Sequence, residues 1–224
     1  MGRLIFYYGT MGCSKTANAL MTRFQYIARQ KSVWLIKPAT DTRDDIIEED
    51  DHIVTLVKSR VGIEAEAEVI SQDTNIYQEY INKYCKLLNL PAEAHYMYRV
   101  PDNAYDVIIC DEAQFLTEAQ IEQLKDLATM TSIDVLCYGL RTDFKTKLFP
   151  GSKRLFELAD KVIELDNICD CGQHAIVNAR FNTAGDILLT GSQIEIGGDE
   201  KYKALCWKCF KKMTLKNQKK NKDK

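Results

Sequence analysis

The sequence predicts an α/β fold, a parallel sheet with an anion-binding edge and a small metal-stapled module appended, and three stretches carry that prediction. Residues 3–16, Arg3-Leu4-Ile5-Phe6-Tyr7-Tyr8-Gly9-Thr10-Met11-Gly12-Cys13-Ser14-Lys15-Thr16, pass from an apolar run through a tight polar loop into a helical pattern. Residues 105–115 deliver two adjacent carboxylates, Asp111 and Glu112, at the end of a second apolar run. Cys169, Cys171, Cys206 and Cys209 form two close pairs with 34 residues between them.

The chain has 224 residues, 46% of them apolar, enough for one α/β core and an appendage. A formal net charge of −2 argues against a nucleic-acid or membrane-surface binder, although the last residues are locally basic. No run reaches the roughly 18 apolar residues of a membrane span, and the N-terminus enters its first strand without a signal-peptide pattern, so a cytoplasmic protein is expected. In that reducing compartment the eight cysteines should form no disulfide framework; Cys13, Cys85, Cys110 and Cys137 stand apart from the late cluster.

The first apolar run reads as a strand ending at Gly9, and the loop after it fits G-x-x-x-x-G-K-[ST] at Gly9, Lys15 and Thr16, with Ser14 in place of the last glycine. Loop N–H groups and the first helical turn aim donors at one point, where the helix dipole also favours negative charge. A triphosphate fits there, with Lys15 for its β- and γ-phosphates and the Thr16 hydroxyl for Mg²⁺. A serine before the lysine costs little where its φ is negative, as at the start of a helix. The competing reading is a βα turn with an incidental Lys-Thr. Ala17, Ala19, Leu20, Phe24 and Ile27 then recur at helical spacing through residue 30, and Ser32–Lys37 reads as a second buried strand, completing a right-handed βαβ unit.

The polar loop 38–45 lies at the carboxyl edge of the sheet, where open α/β folds bind ligands, which makes Asp41 and Arg43 candidates; a solvated turn is the alternative. Arg60, between two short apolar runs, is a third candidate. A helix is expected near 74–89, a loop through Pro91 and Pro101, and no role is assigned to residues 85–104. A strand into Asp111-Glu112, a helix at 117–130, strands at 134–139 and 161–165 and a helix at 151–160 complete an α/β domain over 1–165. Asp111 is placed to hold Mg²⁺ directly or through water, and Glu112 to face an acceptor hydroxyl. An acidic N-terminus on the next helix is the competing reading. The four late thiolates suit a tetrahedral structural Zn²⁺ folding residues 166–212, a segment too small for a core of its own, with C-x-x-C redox chemistry as the alternative. From Lys211 to Lys224 there are seven lysines and one aspartate, so 213–224 reads as a disordered basic tail.

From about residue 3 to 210 these stretches resemble the thymidine kinases of the type found in bacteria, animals and poxviruses. The elements that carry the resemblance are the loop Gly9–Thr16, Asp41-Thr42-Arg43, Ser59-Arg60, Asp111-Glu112-Ala113-Gln114-Phe115, Gly139-Leu140-Arg141-Thr142-Asp143-Phe144 and Ile196-Gly197-Gly198-Asp199-Glu200-Lys201-Tyr202. The resemblance implies a RecA-like P-loop domain and a zinc-stapled domain whose lasso loop closes over a nucleoside. It implies transfer of the γ-phosphate of ATP to the 5′-hydroxyl of thymidine with Glu112 as general base. Gly9, Thr10, Met11, Gly12, Cys13, Ser14, Lys15, Thr16, Asp41, Arg43, Arg60, Asp111 and Gln114 would serve ATP and Mg²⁺. Met11, Phe115, Leu140, Phe144, Phe149 and Tyr202 would wall the thymine, with Gln193, Ile194, Glu195, Ile196 and Gly197 on the lasso, and Cys169, Cys171, Cys206 and Cys209 would hold Zn²⁺. A homotetramer or dimer is implied, with no membrane or stable nucleic-acid partner. The rivals are a nucleotide sensor that contacts nucleic acid through its lysine tail, and a relative weakened by Ser14.

Overall fold

A computed structural model describes residues 2–40, 46–49, 52–87, 105–193 and 201–222. The larger part runs β1 (Leu4–Gly9), α1 (Lys15–Ile27), β2 (Val33–Pro38), β3 (Ile46–Glu49), β4 (His52–Lys58), β5 (Glu64–Ile70), α2 (Ile76–Leu87), β6 (Val107–Cys110), α3 (Glu118–Met130), β7 (Asp134–Leu140), α4 (Pro150–Leu158) and β8 (Lys161–Glu164). These strands form one eight-stranded sheet in the order β3-β4-β5-β2-β6-β7-β1-β8. From β5 to β8 every pairing is parallel; β3 and β4 extend the sheet as antiparallel neighbours.

The inner parallel strands β1, β2, β6 and β7 are largely apolar because both faces are covered, whereas β5 alternates and the edge strand β8 is mostly exposed. On β6, Val107 and Ile109 join Ile5, Leu20, Leu35 and Tyr138 in the layer under α1, while Ile108 and Cys110 join Phe6, Ile121, Leu124 and Leu127 in the layer that includes α3. Each such side chain contributes about 1.5–3 kcal/mol by leaving water. Thr117 starts α3 with a reciprocal capping box, its hydroxyl accepting from the Gln120 N–H while the Gln120 side chain accepts from the Thr117 N–H. Pro150 opens α4, and Gly151 follows it because a Cβ there would lie 2.6 Å from the Leu116 carbonyl oxygen.

The short apolar runs around Arg60 form an antiparallel hairpin, Lys58 opposite Glu64, closed by the Ser59 N–H on the Ile63 carbonyl at 2.8 Å. This turn carries Arg60 back toward the β1–α1 loop, where a Cβ on Gly12 would stand 3.7 Å from its guanidinium.

Past β8, strands β9 (Val177–Phe181), β10 (Ile187–Leu188) and β11 (Tyr202–Leu205) make a second sheet in the order β10-β9-β11, followed by α5 (Trp207–Lys222). Its core is Cys169, Ala175, Val177, Ala179, Ile187, Leu205, Cys206 and Phe210. The lysine-rich end, expected to be disordered from 213, instead continues this helix to Lys222. Phe210 and Thr214, one turn apart, are buried, and the Asn217 amide donates to the Ile187 carbonyl at 3.1 Å. Lysine is a good helix former, so an anchored inner face is enough to order the segment.

Two non-glycine residues at the sheet's carboxyl edge take left-handed backbone conformations. Ser14, which caps α1 without a side-chain hydrogen bond, has φ 62° and ψ 31°; Glu112 has φ 53° and ψ 35°. The negative φ under which a serine at position 14 would be inexpensive is therefore not adopted. A left-handed L-residue costs about 1–2 kcal/mol, and glycine's extra unfolded-state entropy offsets about 0.5–1 kcal/mol of any gain. Ser14→Gly is accordingly expected to stabilise the protein by about 1 kcal/mol and raise the melting temperature by about 2–4 °C. A thermal melt with no rise would show that position 14 carries no strain.

Candidate active site

Three loops meet at the carboxyl edge of the sheet, after β1, β6 and β7, and they meet because β7 pairs with both β1 and β6. They line one cavity of about 350 Å³. Gly12, Ser14, Lys15 and Thr16 of the β1–α1 loop line it, with Arg60 from the hairpin, Asp111, Glu112, Gln114 and Phe115 from the end of β6, and Leu140, Phe144 and Phe149 from the β7 side. Met11, Gln193 and Tyr202 line it too, so most of the residues singled out in the sequence share one space. Asp41, Arg43, Ile194, Glu195, Ile196 and Gly197 lie outside the described residues, as do positions 88–104.

The loop is built around close approaches. A Cβ on Gly9 would fall 2.4 Å from the Cys13 sulfur, and Gly12 has φ 80°, so a side chain would clash at the first position and be strained at the second. Gly9, Thr10 and Cys13 do not reach the cavity; they shape the loop beneath it. Lys15 is buried, and its ammonium donates to the Thr10 carbonyl at 2.8 Å across the loop.

Thr16 Oγ1 donates to Asp111 Oδ2 at 2.9 Å, and Asp111 Oδ1 is buried with no hydrogen-bond partner among the described residues. Burial, then the neighbouring Glu112 charge, push the Asp111 carboxyl up to about 7, against the lowering influence of Thr16 and Lys15. An orphaned carboxylate oxygen beside a threonine hydroxyl at a phosphate loop is a donor set of the hard-oxygen kind that Mg²⁺ takes. Glu112 is 7% exposed, and its Oε2 accepts a short hydrogen bond from Gln114 Nε2. Gln114 Oε1 in turn accepts from the Leu140 N–H at 2.9 Å. Gln114, grouped by resemblance with the nucleotide ligands, thus spends both ends of its amide fixing Glu112 to β7. Gly139 leaves room for that amide, since a Cβ there would lie 2.8 Å from Gln114 Oε1.

The aromatic wall is preformed. Phe115 and Phe149 meet edge to face at 5.6 Å, and the Arg180 guanidinium stacks 3.7 Å over Phe144. Gln193 Nε2 donates to Asp143 Oδ2 at 3.1 Å, which ties the start of segment 193–202 to the loop after β7.

Sequence reasoning missed several lining residues: Lys37, Thr142, Asp143 and Asn178. A lysine at the end of the apolar run 33–36 was a readable signal, because a charged side chain 2% exposed on a central strand needs a reason to be there. Asn178, on β9, belongs to no motif and had no such signal.

In the small module the sulfurs of Cys169, Cys171, Cys206 and Cys209 all lie within 4.8 Å of one another, Cys171 and Cys206 at 3.6 Å. Ligands about 2.3 Å from a tetrahedral metal stand about 3.8 Å apart, so the cluster fits a structural metal site. Burial raises the Cys169 thiol, but N–H groups of Cys171 and Cys206 directed at it outweigh burial and bring it down to about 7, favouring the thiolate a metal needs.

Comparison with known proteins agrees with this geometry. A family model described as thymidine kinase matches residues 2–210. The thymidine kinase of Enterobacteria phage T4 is 39% identical over 96% of this chain and 99% of its own. That of Mannheimia succiniciproducens is 36% identical over 96% and 98%, and that of Vibrio vulnificus strain YJ016 36% over 94% and 97%. Among solved structures, the Pif1 helicase of Candida albicans aligns with 73% of this chain and 36% of its own at 13% identity and a TM-score of 0.37, too slight a likeness to bear on the fold. A phosphate loop, a buried Asp-Glu pair, a preformed aromatic wall and a four-cysteine cluster thus stand within a match that spans nearly the whole chain, and the chain belongs to the thymidine kinase family.

Proposed function

We propose that this protein is an ATP-dependent thymidine kinase, transferring the γ-phosphoryl group of ATP to the 5′-hydroxyl of thymidine. The observation that carries the reading is the single cavity in which a phosphate loop, a buried Asp-Glu pair and an aromatic wall face one another. Phosphoryl transfer needs positioning and charge stabilisation more than covalent participation by the protein, and these groups supply both.

Lys15, Arg60 and the loop N–H groups bind the phosphates, and Asp41 and Arg43 are assigned to the same nucleotide. When bound with the nucleotide, Mg²⁺ would neutralise charge on the β- and γ-phosphates; Thr16 and Asp111 would hold it, Asp111 through the oxygen that has no partner among the described residues. Met11, Phe115, Leu140, Phe144, Phe149 and Tyr202 enclose the thymine ring, with Gln193 to Gly197 closing over it. Glu112 accepts the proton of the 5′-hydroxyl as the hydroxyl oxygen attacks the γ-phosphorus and the bond from that phosphorus to the bridging oxygen breaks, releasing ADP. Gln114 is a positioning residue here, since its N–H fixes the carboxylate that takes the proton.

Residues 1–165 form the nucleotide-binding domain and 166–212 the lasso domain, whose thiolates select zinc as the commonest tetrahedral four-sulfur ion. The family resemblance supports a cytoplasmic homotetramer or dimer. The strain at Ser14 favours a second reading, a relative that binds nucleotide without turnover. Phosphate transfer from radiolabelled ATP against a panel of nucleosides separates the two: thymidine labelled above all others supports the kinase, and labelling of none overturns it.

Glu112→Gln is expected to bind thymidine and ATP but to lose about 10²–10⁴-fold in turnover, because an amide cannot accept the hydroxyl proton. Steady-state rates within a few-fold of the parent would remove Glu112 from that role. Chelation is expected to unfold the lasso domain before the α/β core, since metal–thiolate bonds replace much of the core that so short a segment lacks. Near-ultraviolet dichroism of Trp207 should then change before that of Trp34; loss of both signals together, or pure active protein without stoichiometric zinc, would contradict it.

A further inference from the structure

The phosphate loop is gripped from the small module by two asparagines that no motif marks. Asn178, 2% exposed on β9, accepts from the Met11 N–H at 2.7 Å and donates to the Thr142 carbonyl at 2.8 Å. Asn167, between β8 and β9, donates through Nδ2 to both Thr10 Oγ1 and the Met11 carbonyl, each at 2.9 Å. Its own side-chain oxygen is held by the Ile168 N–H at 2.9 Å, so the amide cannot rotate without loss. Met11 is therefore pinned at both its N–H and its carbonyl. With peptide planes rigid, the dihedrals of Gly12, Cys13 and Ser14 alone remain to decide where the following donors point.

Those dihedrals are costly ones. Gly12 has φ 80° and Ser14 φ 62°, and only the first belongs to a residue without a Cβ. A strained conformation of this kind persists where its surroundings over-determine it. We propose that Asn167 and Asn178 are positioning residues that hold the loop in its phosphate-binding conformation, doing from outside what a glycine at position 14 would otherwise allow from within. The proposal rests on the nucleotide-site reading above.

A purely structural asparagine and a loop-positioning one differ in a double-mutant cycle. ATP dissociation constants and Michaelis constants are to be measured on the full-length, metal-loaded chain for the parent, Asn178→Ala, Ser14→Gly and the double variant, with melting temperatures alongside. Asn178→Ala is expected to weaken ATP binding by about tenfold or more in the parent but by less than about threefold in the Ser14→Gly background, a non-additivity characteristic of groups acting on one element. Equal losses in both backgrounds, or a lowered melting temperature with ATP affinity intact, would overturn the proposal. If Asn178→Ala does not fold, the same cycle with the less buried Asn167→Ala decides by the same criteria. A parent protein that melts cooperatively and binds no ATP would instead overturn the nucleotide-site reading itself.

Discussion

The constraint that orders this structure is the burial of two adjacent carboxylates. Asp111 and Glu112 are 2% and 7% exposed at the end of a strand whose every residue is buried. Removing an ionised carboxylate from water costs several kcal/mol unless partners replace the hydration. Asp111 has the Thr16 hydroxyl on one oxygen and, among the described residues, no hydrogen-bond partner on the other, while burial and then the neighbouring Glu112 charge raise its pKa. The lysines and arginine around the cavity, Lys15, Lys37, Lys58 and Arg60, supply positive charge at the same edge. Such a site gains most when phosphates and a cation enter together, because each relieves a cost that the other leaves.

What was legible in the sequence was what local chemistry encodes. Apolar runs buried on both faces marked β1, β2, β6 and β7, and the Gly9–Thr16 spacing and the Asp111-Glu112 pair marked the edge where they end. The cysteine pairs were legible because thiolate spacing is a short-range property. The tertiary choices were not. Ser14 gave no sign of its positive φ, since the loop's geometry is imposed by Thr10 and Met11 being held from residues more than 150 positions away. The C-terminal lysines read as disorder because their composition is polar; Phe210, Thr214 and Asn217, which anchor one face of the helix, are too few to register as a hydrophobic period.

The small module does more than close over the sheet. Arg180 on β9 stacks on Phe144 and also donates to the Ser192 carbonyl at 3.2 Å, while the Lys145 ammonium reaches the Gly191 carbonyl at 3.1 Å. Gly191 must be glycine, because its φ is 126° and a Cβ would fall 2.4 Å from the guanidinium. Residues 191–193 are thus tethered to the loop after β7 that carries Phe144, and Tyr202 at the start of β11 returns to the same cavity. Segment 193–202 begins and ends on the cavity it is proposed to cover.

Of the residues of strand β7 only Leu140 lines the cavity, yet the site depends on the strand. It separates β1 from β6 in the sheet, so the phosphate loop and the carboxylate pair follow strands on either side of it. Its last N–H, on Leu140, holds Gln114, and Gln114 holds Glu112. Its Gly139 leaves the space this requires. Beyond it, the Thr142 carbonyl takes the Asn178 amide whose oxygen fixes Met11. The phosphate loop and the proposed base are therefore oriented from opposite sides by consecutive parts of one strand and its loop. Reacting groups on separate elements keep a near-attack geometry only when a common rigid part sets both. In this fold strand β7, paired in parallel with β1 on one edge and β6 on the other, is that part.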